Sequence, residues 1–406
     1  MDILNLCKYD GMKKINVVFH DGGGGHRNAA VALQNVIGQQ GKPWEVELVQ
    51  FQNLTDKLDV LKKMTGIQIQ EQYNTMLRNG WTLGSAQLLR VLQATIRLFH
   101  KQLVKLLEDF WREKPAELLL SVIPHFNREL AESWAKVFPG RPFVTLITDF
   151  ADYPPHFWIE ENPEQYVIAG TERAAQQAAD LGHDQAHIFR VSGMVLRPDF
   201  YIEDKSDPGE IRRELELRAD LPVAIVLFGG YGSKVMYEIA ERLDAADSPL
   251  QSILVCGRNE ELAAKLRSMK CRRPMSVIGF TKEVPKLMRA ADFLIGKPGP
   301  GSIAEAMAKK LPVLIECNAW TLPQERYNAE WVVENRVGIV LKSFRDVVDG
   351  VGQMLDPVKL AEFRKNVGKI ENRAIFEIPD ILSGLLNEEQ GVETGVVRSS
   401  QRQQAI

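Results

Sequence analysis

The chain has only four cysteines in 406 residues, Cys7, Cys256, Cys271 and Cys317. No Cys-x-x-Cys pair occurs among them, so a disulfide framework and a thiolate metal site are both disfavoured, and free thiols in a reducing compartment are expected. Long apolar runs are missing too. No segment approaches the roughly 18 apolar residues that cross a bilayer, and MDILNLCKYDGMKKINVVFH at the start has no apolar stretch before a small-residue cleavage site. Neither an integral membrane protein nor secretion by that route is expected. Excess charge of one sign is also lacking. Fifty Lys and Arg face 53 Asp and Glu, a net charge of −3, so no whole-chain field draws a nucleic acid, and none is expected as a partner.

What is present is an ordinary globular balance, 45% hydrophobic and 25% charged, over a length that suits two domains. A β-branched run at 15–19 is followed by Gly22, Gly23, Gly24 and Gly25, then by a helical pattern from His26 to about residue 39. A strand at 45–49 precedes a long, mostly helical stretch from about 54 to 111. Further strands are expected at 118–122, 143–148, 166–169 and 187–192. Residues 197–210, RPDFYIEDKSDPGE, read as an exposed connection. Beyond it the pattern restarts, with strands at 222–228, 252–256, 276–278, 293–295, 312–316 and 338–341. Strands alternating with helices give an α/β chain of two doubly wound domains, 1–198 and 199–369, facing a cleft. Residues 387–406 read as a polar tail.

Three glycine loops would open on that cleft. Gly22–Gly25 lie between a strand and a helix, where backbone N–H groups can meet an anion; a tight turn without a ligand is the alternative. No Gly-Lys-Ser/Thr follows and no aligned GxGxxG is present, so ATPase and dehydrogenase readings are weak. His26 would project from the first helical turn, where an imidazole can take a proton near neutrality; a structural histidine is the bland alternative. His20, His125 and His156 lie near strand ends with no motif to raise them. Gly229, Gly230, Tyr231, Gly232 and Ser233 repeat the arrangement in the second half. The third loop runs through Gly296, Lys297, Pro298, Gly299, Pro300, Gly301 and Ser302 into a helix carrying Glu305, whose carboxylate can accept two hydroxyls such as a ribose diol presents. Gln324, Glu325 and Asn328 begin another helix with groups able to hold sugar hydroxyls, or simply form an ordinary polar helix start.

These residues together resemble the diacylglycerol glycosyltransferases: the monogalactosyldiacylglycerol synthases, their bacterial glucosyl relatives and, more distantly, the lipid-linked N-acetylglucosaminyltransferase of peptidoglycan synthesis. The resemblance rests on Gly23-Gly24-Gly25-His26-Arg27 with Ala29-Ala30, on the run from Gly299 to Ala306, and on Gln324-Glu325 with Asn328. Thr148-Asp149 and Arg197-Pro198 add to it. It implies a GT-B fold in which a last helix, about 370–386, packs back on the first domain. It implies a UDP-sugar donor, a lipid acceptor, inversion at the anomeric carbon and no metal or other cofactor. By that match His26 is the base, with Asp149 also in the catalytic group. Gly24, Gly25, Gly230, Ser233, Gly299, Gly301 and Ser302 face the donor, Arg197 neutralises its phosphates, Glu305 holds the ribose, and Gln324, Glu325 and Asn328 hold the sugar. Asn28, where the family commonly has Ala, and the polar tail are departures.

A lipid acceptor requires a membrane surface, and the basic and aromatic stretch 57–114 is the candidate, at the cytoplasmic face. The alternative is that its apolar stripe is packed core and its charges a solvated face. Two other functions stay open on the same fold: a nucleotide-sugar epimerase, and a binding protein without turnover.

Overall fold

The computed structural model describes residues 12–20, 25–52, 85–162, 164–202 and 205–393. Among them are two six-stranded sheets, each wholly parallel. The first comprises β1 Lys13–Phe19, β2 Trp44–Gln50, β3 Leu118–Ser121, β4 Phe143–Leu146, β5 Gln165–Ala169 and β6 Ile188–Arg190, in the order β2-β1-β3-β4-β5-β6. The second comprises β7 Val223–Leu227, β8 Gln251–Val255, β9 Met275–Ile278, β10 Phe293–Gly296, β11 Val313–Glu316 and β12 Gly338–Leu341, in the order β12-β11-β10-β7-β8-β9. Parallel strands covered on both faces need near-continuous apolar runs. The sequence supplies them: Val17, Val18, Leu118, Leu119, Leu120, Val223, Ile225, Val226, Phe293 and Leu294 have no exposed surface.

Strand order decides where ligands can go. In the first sheet the direction of strand addition reverses between β1 and β3, and in the second between β7 and β10. Open parallel sheets bind ligands outside the carboxyl ends of their strands at such a reversal. The loops at the two reversals are those that follow β1 and β3, and those that follow β7 and β10. They carry His20, His26 and His125 on one side, and the Gly229 and Gly296 turns on the other.

Helix α1, Gly25–Gln39, buries Ala29, Ala30, Leu33, Val36 and Ile37 on the first sheet. The last helix, Ala374–Glu393, joins the same core through Ala374, Ile375, Ile378, Leu382, Leu385 and Leu386, a spacing that puts all six on one helical face. Each fully buried Ile or Leu there contributes about 1.5–3 kcal/mol. The polar tail expected from residue 387 is helical as far as Glu393. Its Glu and Gln are good helix formers, so extending an existing helix costs little.

The two crossings between domains lie against each other. Asn372 Nδ2 donates to the Met194 carbonyl at 2.8 Å, Arg373 N–H to Ser192 Oγ at 2.7 Å, and Ser192 N–H to Glu377 at 2.8 Å. A Cβ on Gly193 would stand 2.7 Å from the Asn372 side chain, so only glycine lets the two crossing segments approach this closely. Met194, Leu196 and Phe200 belong to the second domain's core.

Two helices represent the basic stretch, Ser85–Leu98 and His100–Glu113; residues 57–84 lie outside the described residues. The second corrects part of the membrane reading. Leu103, Val104, Leu107 and Trp111 are buried, and Trp111 Nε1 donates to Ser133 Oγ at 3.0 Å. Lys105 and Arg112 pair with Asp109 at 3.0 and 2.7 Å, and Lys114 pairs with Glu47 at 2.7 Å. This half is packed core beneath a face of mutually paired charges, the alternative the sequence left open. Leu98, at the end of the preceding helix, is 73% exposed. No helix among the described residues is long and apolar enough to cross a membrane.

Candidate active site

The first reversal gathers three histidines. His20, just after β1, accepts at Nδ1 from Gln52 Nε2 at 2.8 Å and stands edge-on to Phe51 and Phe126. His125, just after β3, has the left-handed backbone φ of 72°; its N–H donates to the Phe157 carbonyl at 2.6 Å, and its Nδ1 is buried without a partner. His26 sits in the first turn of α1, half-buried, with Nδ1 3.2 Å from Thr148 Oγ1 and its ring 5.7 Å from that of Trp158. Burial disfavours the charged form of each. It holds His26 down to about 4, against the Val122 backbone acting the other way. His125 is held at about 4 and His20 at about 3, with neighbouring imidazoles adding to burial in both. All three are neutral at pH 7.

Beside them is Asp149, beyond the end of β4. Its Oδ2 accepts from Trp158 Nε1 at 2.9 Å. Burial pushes the carboxyl up to about 7; the Trp158 bond opposes this, the Glu325 charge adds to it and Lys297 subtracts. His26 and Asp149 therefore meet the same fully buried indole, one against its ring and one at its N–H. Asp152 holds the backbone of that residue, accepting from Trp158 N–H at 2.6 Å.

The second reversal is built differently. Gly229 and Gly232 have φ of 76° and 59°, which L side chains rarely adopt, and the turn delivers the chain to the helix Val235–Ala245 with Ser233 Oγ accepting from Val235 N–H. The Gly230 carbonyl accepts from Arg258 N–H at 2.9 Å. Gly299 precedes the helix Pro300–Ala308, leaving Gly301 exposed and Ser302 half-buried in its first turn. A Cβ on Gly299 would lie 3.4 Å from Lys297 Cε and 3.8 Å from both Glu325 Oε1 and Ser302 Oγ, so this loop and the Pro323–Glu325 turn meet. Lys297 Nζ pairs with Glu325 Oε1 at 2.6 Å. Glu305 is half-buried; burial lifts it to about 7, with Arg197 pulling down and Asp199 up.

The structure brings together His26 and Asp149 on one side and Gly299, Ser302 and Glu325 on the other. Gly24 lies outside the described residues, and Gly25 opens α1 with free space around it. Arg197 is held by Asp199 at 3.1 Å and by the Lys282 carbonyl at 3.2 Å, and its charge acts on Glu305. Asn328 is fully buried, and its Nδ2 holds the Pro298 carbonyl at 2.7 Å. Its place is beneath the loop, fixing it, while Gln324 is half-buried at the turn. Sequence reasoning gave no site role to Thr148, Trp158 or Lys297. Only Lys297 left a legible signal, a base inside a glycine loop. Among the described residues no group of three or more His, Cys, Asp or Glu could hold a metal ion.

Two facing Rossmann-like domains with a cleft between their strand ends define a GT-B protein, and solved structures agree. Acinetobacter baumannii MurG superposes with a TM-score of 0.58 at 12% identity over 92% of this chain and 99% of its own. S. aureus MnaA, solved with UDP, gives 0.59 at 13% over 93% and 97%. Anabaena HepE, in complex with UDP-glucose, gives 0.52 at 15% over 93% and 100%. Residues 224–357 match the glycosyltransferase family 28 C-terminal domain. The chain is 27% identical to the chloroplastic monogalactosyldiacylglycerol synthase of Spinacia oleracea over 87% of this chain and 68% of that one. It is 29% identical to a probable synthase of the same name from Glycine max, over 93% and 72%. The second domain thus matches family 28, and the chain as a whole is similar to the monogalactosyldiacylglycerol synthases.

Proposed function

We propose that this glycosyltransferase moves a hexose from a UDP-sugar to a lipid hydroxyl, diacylglycerol being the acceptor class, with inversion at the anomeric carbon and without a metal. One observation carries the reading: a neutral imidazole and a buried carboxyl share one indole on one wall of the cleft, opposite a glycine-lined helix start and a lysine on the other. The similarity to monogalactosyldiacylglycerol synthases along most of the chain supports the lipid acceptor. The UDP and UDP-glucose held by proteins of the same fold support the donor.

The chemistry follows from the two walls. With Nδ1–H donating to Thr148 Oγ1, His26 keeps the lone pair on Nε2 and takes the proton of the acceptor hydroxyl as that oxygen bonds to the anomeric carbon. The bond from that carbon to the diphosphate oxygen breaks on the opposite face, and UDP leaves with the electron pair. Backbone N–H groups after Gly230 and Gly299, with Ser233 and Ser302, meet the departing charge; Lys297 and Arg197 add full positive charge nearby. Glu305 holds the ribose, and Gln324 and Glu325 the sugar hydroxyls. Asp149, charged above about pH 7, stabilises the imidazolium that forms. The protein works at the cytoplasmic face of a membrane, which it meets around Arg97 and Leu98, both exposed.

The test is incubation of purified protein with UDP-glucose or UDP-galactose, alone and with diacylglycerol vesicles, read by mass spectrometry. Glycosylated diacylglycerol is expected. Isomerised UDP-sugar without lipid would mean an epimerase, and tight UDP-sugar binding without turnover a binding protein.

A further inference from the structure

One side chain crosses between the two walls. Phe150 follows Asp149 in the first domain, yet it is 3% exposed and lies within the second domain's core, edge-on to Trp331 with ring centres 4.9 Å apart. The segment that carries it is firmly tied. The Phe150 carbonyl accepts from Thr171 Oγ1, the hydroxyl that caps helix Glu172–Asp180 through Ala174 N–H. Gln177 of that helix bonds both the N–H and the carbonyl of Asp152, at 2.9 and 2.8 Å. Through Asp152 and Trp158 the same block holds the Asp149 carboxyl. It touches the second domain again where the Arg173 guanidinium lies 6.0 Å from the ring centre of Tyr327. Both aromatic partners, Tyr327 and Trp331, sit on helix Arg326–Glu334, which starts immediately after Gln324 and Glu325.

We infer that Phe150 is a positioning residue for the transfer reaction: seated on Trp331, it sets how closely His26 and Asp149 approach the sugar-holding turn at Gln324 and Glu325. The inference rests on the proposed reaction for its kinetic consequence, but not for its geometric one. Misplacing reacting groups by about 1 Å can cost roughly 10²-fold in rate, whereas in the proposed reaction most of the groups that hold the donor lie on the second domain, away from Phe150.

Phe150→Ala is expected to lower kcat about 10²-fold with UDP affinity, by calorimetry, within twofold of the parent. Phe150→Leu, which refills the core without the ring, is expected to recover to within about fivefold. Nitroxides on Lys136→Cys and Val358→Cys, both on the surface and in different domains, placed in a chain whose own cysteines are replaced by serine, report the interdomain distance by pulsed electron resonance. A narrow distribution in the parent and a broad one in Phe150→Ala support the inference. An unchanged kcat, an equal loss of kcat and UDP affinity, or an unchanged distribution overturns it. Should Phe150→Ala fail to fold, Trp331→Ala removes the other half of the contact and is read by the same criteria. The distance measurement needs no turnover, so a parent chain inactive on every lipid would sink the proposed reaction while the latch is still decided by the two distributions.

Discussion

The two ends of the cleft use opposite materials. At the first sheet's reversal the site is built from shielded side chains: three half-buried, neutral histidines, a carboxyl lifted to about 7 and a fully buried tryptophan between His26 and Asp149. At the second sheet's reversal it is built from backbone and compensated charge: left-handed glycines, helix starts and the Lys297–Glu325 pair. Groups whose protonation is held away from solution values suit proton transfer, and oriented N–H groups suit an anion. The lesson is a division of labour, chemistry on one wall and holding on the other, and it can be broken one wall at a time.

The largest expected effect is on the first wall. His26→Ala should lower turnover about 10²- to 10⁴-fold while calorimetry finds UDP affinity within twofold. Loss of both together would erase the division. Gly257→Ala strikes the second wall through its frame. Its Cβ would stand 2.2 Å from the Gly230 carbonyl oxygen at a φ of 57°, so about 1–3 kcal/mol of stability is expected to go, with weaker UDP binding and a catalytic constant little changed at saturating donor. Lys297→Met should have an effect of comparable size. It leaves Glu325, 7% exposed, without its partner, at roughly 1–3 kcal/mol because Lys297 itself is a third exposed. Its kinetic signature is a raised donor KM.

The smallest effect is a stability profile with two limbs, one from each kind of buried group. Glu160, Asp149, Glu305 and Asp152 are raised to about 8, 7, 7 and 6, burial being the main cause in each. The folded chain keeps protons there that the unfolded chain releases above about pH 4, so stability rises as pH falls from 8 toward 6. His20, His26 and His125 are lowered, so the unfolded chain binds their protons first, and stability falls as pH drops below about 6.5 toward 4. The two contributions oppose each other below about pH 6.5, so calorimetric scans should show Tm climbing as pH falls from 8 toward 6 and then levelling, and Glu160→Gln should make the climb shallower.

Much of this was legible beforehand, because strand runs and glycine turns are local. The twelve strands lie within a few residues of their expected places, and the rule that ligands sit beyond parallel strand ends picked out loops that the two strand reversals do bring to the cleft. What escaped depends on which strands become neighbours. His20 and His125 were set below His26 as isolated residues, yet β1 pairs directly with β3, which makes neighbours of residues 105 positions apart in sequence. The Lys297–Glu325 pair and the seating of Phe150 on Trp331 likewise join segments whose proximity no periodicity encodes. Trp111 was misleading for the same reason: an amphipathic helix looks alike whether its apolar stripe meets a membrane or, as here, helix Asn127–Val137.

The most direct test of a one-step displacement driven from the first wall is the stereochemistry of its product. Proton NMR of the glycolipid made from an α-linked UDP-hexose is expected to show only the β-anomer, because the acceptor oxygen arrives opposite the departing diphosphate. An α-linked product would contradict the account, since it requires attack from the side on which the diphosphate leaves, or two successive displacements.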